Sequence, residues 1–262
     1  MIQLEQIKSY YPQPLRDNAL FGKYLLKEYI QLMILNYLSS TRFIRKMVFI
    51  GGTCLRLAKG IDRFSENLDF DCKDLSEGEF MEMTNAIILF LKDAGLDVIV
   101  RDKENPNITA FRRNIYFPEL LFDLGMSGHR EERFMIKVES QDQGIAYDPV
   151  IETITGCGFF FRFPVPPIGI LCSMKIAAML SRAKGRDFYD LMFLLAQTQP
   201  DYPFLTKRCG IHHWQEFLQK AFEALKTVDL KKKQKDFEHL LFITTDSAKI
   251  LWFEDYIRSI TE

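Results

Sequence analysis

The chain has 262 residues, 47% of them apolar and 26% charged, with a formal net charge of −1 at pH 7. That composition is ordinary for a globular protein with ample length for a core, either one large domain or two small ones. The near-zero charge excludes a global positive field for nucleic acid and leaves only a local patch for such a partner. Five scattered cysteines, with no C-x-x-C and no paired histidine spacing, argue against zinc and suit a reducing compartment better than a disulfide framework. No apolar run reaches the roughly 18 residues of a spanning helix, and the polar start lacks a signal-peptide core. A cytoplasmic protein without a membrane partner is therefore expected.

In chain order, Tyr10-Tyr11-Pro12-Gln13-Pro14 breaks any helix begun before it. Residues 18–38 carry Leu25, Tyr29, Leu32, Leu35 and Leu38 near a 3.6 period and read as a core helix. Met47–Ile50 is a short apolar run fit for a buried strand. Gly51 and Gly52 end it, and Thr53 opens a segment with Leu55, Leu57 and Ala58 at helical spacing. Next comes Leu68-Asp69-Phe70-Asp71-Cys72, an alternating strand pattern. Ser76 or Glu77 caps a helix running to Gly95, and Asp97–Arg101 reads as a strand. Further strands are expected at Thr109–Phe117, Leu120–Leu124 and Phe134–Ser140. Residues 141–149 read as a loop and Val150–Phe163 as an apolar stretch. Pro164-Val165-Pro166-Pro167 reads as a stiff connector at a domain boundary. Helices are expected at Ile168–Ala183, from Arg186 onward, at Trp214–Leu225 and at Asp236–Ile260. The basic run Lys231-Lys232-Lys233-Gln234-Lys235 is usually solvated in proteins, though it can touch an RNA backbone.

Chemistry concentrates between residues 47 and 71. A strand, a glycine pair and a helix start make a phosphate site, because glycine permits close backbone approach and free N–H groups favour an anion. In a strand, residues two apart share a face, so Asp69 and Asp71 point the same way. Paired carboxylates are hard oxygen ligands for Mg²⁺, which binds through one or two of them plus substrate phosphates. Alone, a glycine pair is most often a turn, and an acidic alternation a solvated face. The ordered combination suggests nucleotidyl transfer.

G-G-T-C-L-R-L from Gly51, then R-F-S-E-N-L-D-F from Arg63, resembles the AbiEii/AbiGii-type nucleotidyltransferases of the DNA polymerase β-like superfamily. K-I-A-A-M-L-S-R from Lys175, followed by G-R-D-F-Y-D-L from Gly185, resembles that family's later K-x-x-A-x-x-x-R…R-D-x-x-D-L block. The resemblance covers about residues 27–196 and implies an α+β fold: a mixed sheet with flanking helices over residues 1–166, then a helical bundle over 167–262. It implies an active site in the cleft between the two. Gly51, Gly52, Thr53 and Ser65 would bind the nucleotide, Lys175 its phosphates, and Asp187 would orient Lys175 or act as base. Asp190 has the same alternatives, capping the helix, orienting Lys175 or serving as base, with Asp187 the favoured functional residue. The family's usual S-E-D-L-D-F sets its metal-binding Asp-x-Asp on Asn67 and Asp69 here. An amide thus stands where the family has a carboxylate. Asp71 is the substitute favoured by the alternation through Cys72, giving a set of Asp69, Asp71 and Asn67. Glu139 is the candidate third acid on a later strand, with Asp123 the runner-up. Against Glu139 stands simple pairing with Lys137 on a solvated face. Many members of this family are toxins of type IV toxin–antitoxin or phage-defence systems. An NTP substrate, Mg²⁺, an RNA (tRNA) or protein acceptor and an antitoxin partner are therefore expected. A nucleotide-binding regulator without turnover and an antibiotic-modifying transferase are the rival readings.

Overall fold

A computed structural model describes residues 3–101 and 110–260. The chain divides into two compact units. The first holds residues up to 60, 64–144 and 149–165, and the second holds 61–63, 145–148 and 166 onward.

The first unit opens with two short helices, α1 (Leu4–Ser9) and α2 (Gln13–Arg16), separated by Pro12 at the start of the second. Helix α3 (Gly22–Ser39) follows and buries eleven of its residues, so it is a core helix rather than a surface one. Strand β1 (Met47–Ile50) runs into helix α4 (Gly51–Lys59), which Gly60 ends in the left-handed conformation. Strand β2 (Asn67–Cys72) leads to helix α5 (Glu77–Asp93). Ser76 is the cap of α5: its hydroxyl accepts the Glu79 N–H, and the Glu79 carboxylate accepts the Ser76 N–H in return. Strands β3 (Ile99–Val100) and β4 (Phe111–Tyr116), helix α6 (Leu120–Asp123) and strand β5 (Met135–Gln141) follow. The start of β4 expected at Thr109 lies outside the described residues.

These strands form a five-stranded mixed sheet in the order β1-β2-β5-β4-β3. β2 is antiparallel to β1 and parallel to β5, with Ile50 opposite Asp69 and Asp69 opposite Glu139. The register sorts side chains by face. Leu68, Phe70, Ile136, Val138 and Ile115 are buried on one side, and Asn67, Asp69, Lys137, Glu139 and Arg112 lie on the other. Phe49 and Phe70 meet Phe163 with ring centroids 6.0 Å apart, and Tyr37 of α3 stacks on Phe90 of α5 at 4.4 Å. A second sheet is the hairpin of β6 (Val150–Gly156) and β7 (Phe159–Val165), turned at Cys157 and Gly158, both at positive φ.

The second unit is helical: α7 (Ile168–Arg182), α8 (Gly185–Leu195), α9 (Tyr202–Cys209), α10 (Trp214–Leu225), α11 (Leu230–Lys235) and α12 (Phe253–Ser259). Phe188 meets Phe253 edge-on at 4.9 Å across α8 and α12. The α+β class, with a mixed sheet followed by helices, is as expected from the sequence.

Three local expectations are corrected. Residues 120–124 form a helical turn, not a strand: the leucines favour helix and Gly125 closes the turn at positive φ. Pro164 and Val165 belong to β7, so the connector is only Pro166-Pro167, because the outer edge of a two-stranded sheet tolerates a proline. The last helix is broken into 3₁₀ segments at Glu238–Leu240 and Thr244–Trp252 before α12. There Phe242 N–H donates to Asp62 O, and Thr244, Thr245, Asp246 and Ser247 are residues that compete with helical backbone bonding.

Candidate active site

In the first unit the site is built at the junction of β1, α4 and β2. Gly51 adopts φ +79°, and a Cβ there would lie 2.5 Å from Asp69 Oδ2. The missing side chain therefore lets the Asp69 carboxylate sit directly against the start of α4. Gly52 is not among the positive-φ glycines, so the conformational demand falls on Gly51. The N-cap residue of α4, Ile50, makes no side-chain cap bond, and the first-turn N–H groups form the positive end of the helix dipole. Thr53 is buried and its hydroxyl donates to the Asn67 carbonyl, which ties the helix to β2. Arg56, one turn on, makes a bidentate pair with the buried Glu28 of α3 at 2.8 and 3.2 Å. Lys59 pairs with Glu152 of β6. Helix α4 is thus anchored by two ion pairs behind its open end.

Asn67, Asp69 and Asp71 alternate onto one side of β2, but their surroundings differ. Asn67 and Asp69 are half-buried, whereas Asp71 is 1% exposed and accepts the Gln143 N–H at 2.9 Å. Asp71 thus fastens the loop after β5. Glu139 stands beside Asp69 in the parallel register, and its carboxylate contacts Lys137 Nζ at 2.6 Å and the Arg112 guanidinium. Asp123, the runner-up third acid, is exposed at the end of α6 and is not on the sheet. Ser65 is half-buried before β2, and its carbonyl accepts from Gln31 Nε2 at 3.2 Å. Among the described residues no group of three or more His, Cys, Asp or Glu forms a metal cage. A groove of about 1190 Å³ in the same unit reaches Glu66, the residue before β2. Its cations are largely matched by acids, as in Lys27–Glu66 at 3.3 Å and Lys23–Glu132.

In the second unit, Lys175, Asp187 and Asp190 come together with a residue the sequence analysis did not assign. Arg63 makes a bidentate pair with Asp190, Nε to Oδ1 at 2.6 Å and Nη2 to Oδ2 at 2.7 Å. Lys175 Nζ lies 2.5 Å from Asp190 Oδ2 and 3.7 Å from Asp187 Oδ1. Arg182 grips both oxygens of Asp187 at 2.8 and 2.9 Å. Of the alternatives, Asp190 is therefore the direct partner of Lys175, while Asp187, its more distant neighbour, also caps α8 by accepting the Lys184 N–H at 3.3 Å. Burial pushes both carboxyls up, but the facing cations outweigh it and hold both below the usual range. Those cations are chiefly Arg63 and Lys175 for Asp190, and Arg182 and Lys175 for Asp187. Arg63 opens the R-F-S-E-N-L-D-F stretch, so its place beside the motif was the available signal.

A mixed sheet whose first strand runs through a glycine into an open helix, with an acidic strand alongside, is a nucleotidyltransferase arrangement. The chain belongs to the nucleotidyl transferase AbiEii toxin family of type IV toxin–antitoxin systems, whose model matches residues 34–243. It is a nucleotidyltransferase of that toxin class. Among solved structures it is similar to MenT4, a nucleotidyltransferase toxin from Mycobacterium tuberculosis H37Rv. The two share 17% identity with a TM-score of 0.64, over 100% of this chain and 91% of that one. It is also similar to JHP933 from Helicobacter pylori, at 20% identity and a TM-score of 0.53 over 90% of each chain. No curated protein matches the chain. Among the described residues no helix is long and apolar enough to cross a membrane.

Proposed function

We propose that this enzyme transfers a nucleoside monophosphate from an NTP to a hydroxyl of an RNA, such as a tRNA end. The observation that carries the reading is Gly51, held at φ +79° with the Asp69 carboxylate against it at the open N-terminus of α4. That junction can receive phosphate oxygens on backbone N–H groups while a carboxylate stands within reach. The acceptor oxygen bonds to the α-phosphorus, the bond from that phosphorus to the β-bridging oxygen breaks, and pyrophosphate leaves. The hydroxyl proton passes to a base.

Asp69 is the central acid, with the side-chain amide oxygen of Asn67 and the Glu139 carboxylate on the same face of the sheet. These donors fit Mg²⁺ arriving with a nucleotide, which needs one or two carboxylates rather than a full protein cage. Such an ion, when bound, supplies charge neutralisation at the triphosphate. Asp71, buried and hydrogen-bonded to the Gln143 N–H, is assigned a structural role, which moves the proposal from the 69/71 pair to the 67/69 pair. Within the second unit, Lys175 is assigned to phosphate oxygens, and Asp190, with Asp187 behind it, holds that ammonium in place. As a toxin of its class the protein would be held in check by an antitoxin. The test is incubation with each α-labelled NTP, total RNA and Mg²⁺. Label on RNA with wild type and none with Asp69→Ala is expected. Label only on protein would replace the acceptor, and equal labelling by Asp69→Ala would remove the site. A second reading, nucleotide binding without turnover, is favoured by Asn67 and by the pairing of Glu139 with Lys137 and Arg112. It predicts saturable NTP binding with no label transferred to any acceptor.

A further inference from the structure

The basic run at residues 231–235 is not an isolated solvated stretch. Its helix, α11, packs on the start of α8: a Cβ added at Gly185 would lie 2.0 Å from the Lys233 carbonyl and 2.7 Å from the Phe237 ring. Gly185 is thus the contact that brings two basic segments of the second unit together. Arg182, Lys184 and Arg186 come from the α7–α8 turn, and Lys231, Lys232 and Lys235 from α11. Arg182 is committed to Asp187. Arg186 is half-buried, while Lys231, Lys232 and Lys235 are exposed, and among the described residues none of these four is paired with an acid. Of the acids flanking α11, Asp229 caps the helix at the Lys232 N–H, and Asp236 lies 3.9 Å from Lys233 Nζ. In a chain whose net charge is −1, this is a concentrated local positive field.

We propose that the α8–α11 surface of the second unit is a docking site for the phosphate backbone of RNA. Lys231 and Lys235 lie one helical turn apart, about 6 Å along the axis, on the order of the step between successive phosphates of one strand. The surface offers lysines as point charges, and the amide of the run, Gln234, donates to Ser247 Oγ. It therefore recognises charge and backbone path, not sequence. Its role is to hold a long acceptor while its end is modified. The choice of RNA as the polyanion rests on the RNA-acceptor reading above.

The test uses the full chain, a fluorescent RNA hairpin and anisotropy titrations between about 0.05 and 0.3 M salt. Lys231→Ala/Lys232→Ala/Lys235→Ala should weaken binding about tenfold or more near 0.1 M salt. It should also lower the slope of log K against log salt by about 2 to 3. Lys92→Ala/Lys226→Ala, which removes two exposed lysines elsewhere, should leave both unchanged. NTP binding by the triple variant, measured in parallel, should equal wild type and shows that the chain is folded. Unaltered RNA affinity and slope in the triple variant, or no RNA binding by wild type at the lowest salt, overturns the proposal. Wild type that binds RNA through these lysines yet transfers no label to it would overturn the acceptor reading alone.

Discussion

Alanine at Gly51 would place a methyl group 2.5 Å from Asp69 Oδ2 and force an L residue into the left-handed region. The backbone term alone costs about 1–2 kcal/mol, and displacing Asp69 removes the carboxylate from the helix start. Gly51→Ala should therefore lose NTP binding, whereas Gly52→Ala should keep most of it, since Gly52 does not occupy positive φ. Isothermal titration with a non-hydrolysable NTP checks the pair. The neighbouring strand poses a sharper question. Asp71→Ala leaves the Gln143 N–H without its acceptor, which should cost about 1–3 kcal/mol in urea unfolding while sparing the Mg²⁺ dependence of nucleotide binding. Asn67→Asp adds a negative charge beside Asp69 and should raise apparent Mg²⁺ affinity. Loss of Mg²⁺-dependent binding in a folded Asp71→Ala, with no gain in Asn67→Asp, would return the second ligand to Asp71.

Helix α4 is nine residues long and is held mainly by what it touches, since isolated helices of that length are marginal. The Glu28–Arg56 pair joins it to α3, and Glu28 is almost fully buried. Glu28→Gln breaks the charge pairing in a desolvated place and should cost about 3 kcal/mol of stability. The expected activity signature is a raised KM for NTP with a smaller change in kcat, because the open end of the helix loses its fixed position. A denaturation curve and steady-state kinetics on the same preparation measure both. An unchanged KM in a destabilised variant would limit the pair to holding the fold.

At the scale of the whole molecule, the Arg63–Asp190–Lys175–Asp187–Arg182 chain of charges couples stability to pH. Both aspartates are held below their unfolded value of about 3.9, Asp190 at about 2. Their contribution is therefore fully present above about pH 4 and is lost as pH falls through the folded values. Unfolding free energy should decline from about pH 4 toward pH 2. Asp190→Asn should be less stable at neutral pH and show a shallower decline over that window. Chemical denaturation at stepped pH checks this, and parallel curves for the two proteins would separate Asp190 from the acid response.

The geometry of the candidate junction was legible in the sequence because its parts are local. A strand, a glycine and a helix start adjoin one another, and period-two alternation alone puts residues 67, 69 and 71 on one side. Even the Ser76–Glu79 capping box is local, as its partners lie three positions apart. Decisions between equivalent local choices came from long-range packing. Residues 69 and 71 have the same spacing and chemistry, yet Asp71 is buried against Gln143, 72 residues away, while Asp69 sits by Gly51. Asp187 and Asp190 are both plausible caps at the start of one helix. Only Arg63, 127 residues before Asp190, makes Asp190 the buried hub of the network. The Leu120 segment and the final helix went astray for the same reason: short apolar runs carry little preference of their own, and the backbone bonds they form depend on distant partners. Sequence sets which groups can share a face; burial, which sums over the whole chain, decides which of them meet solvent and a substrate.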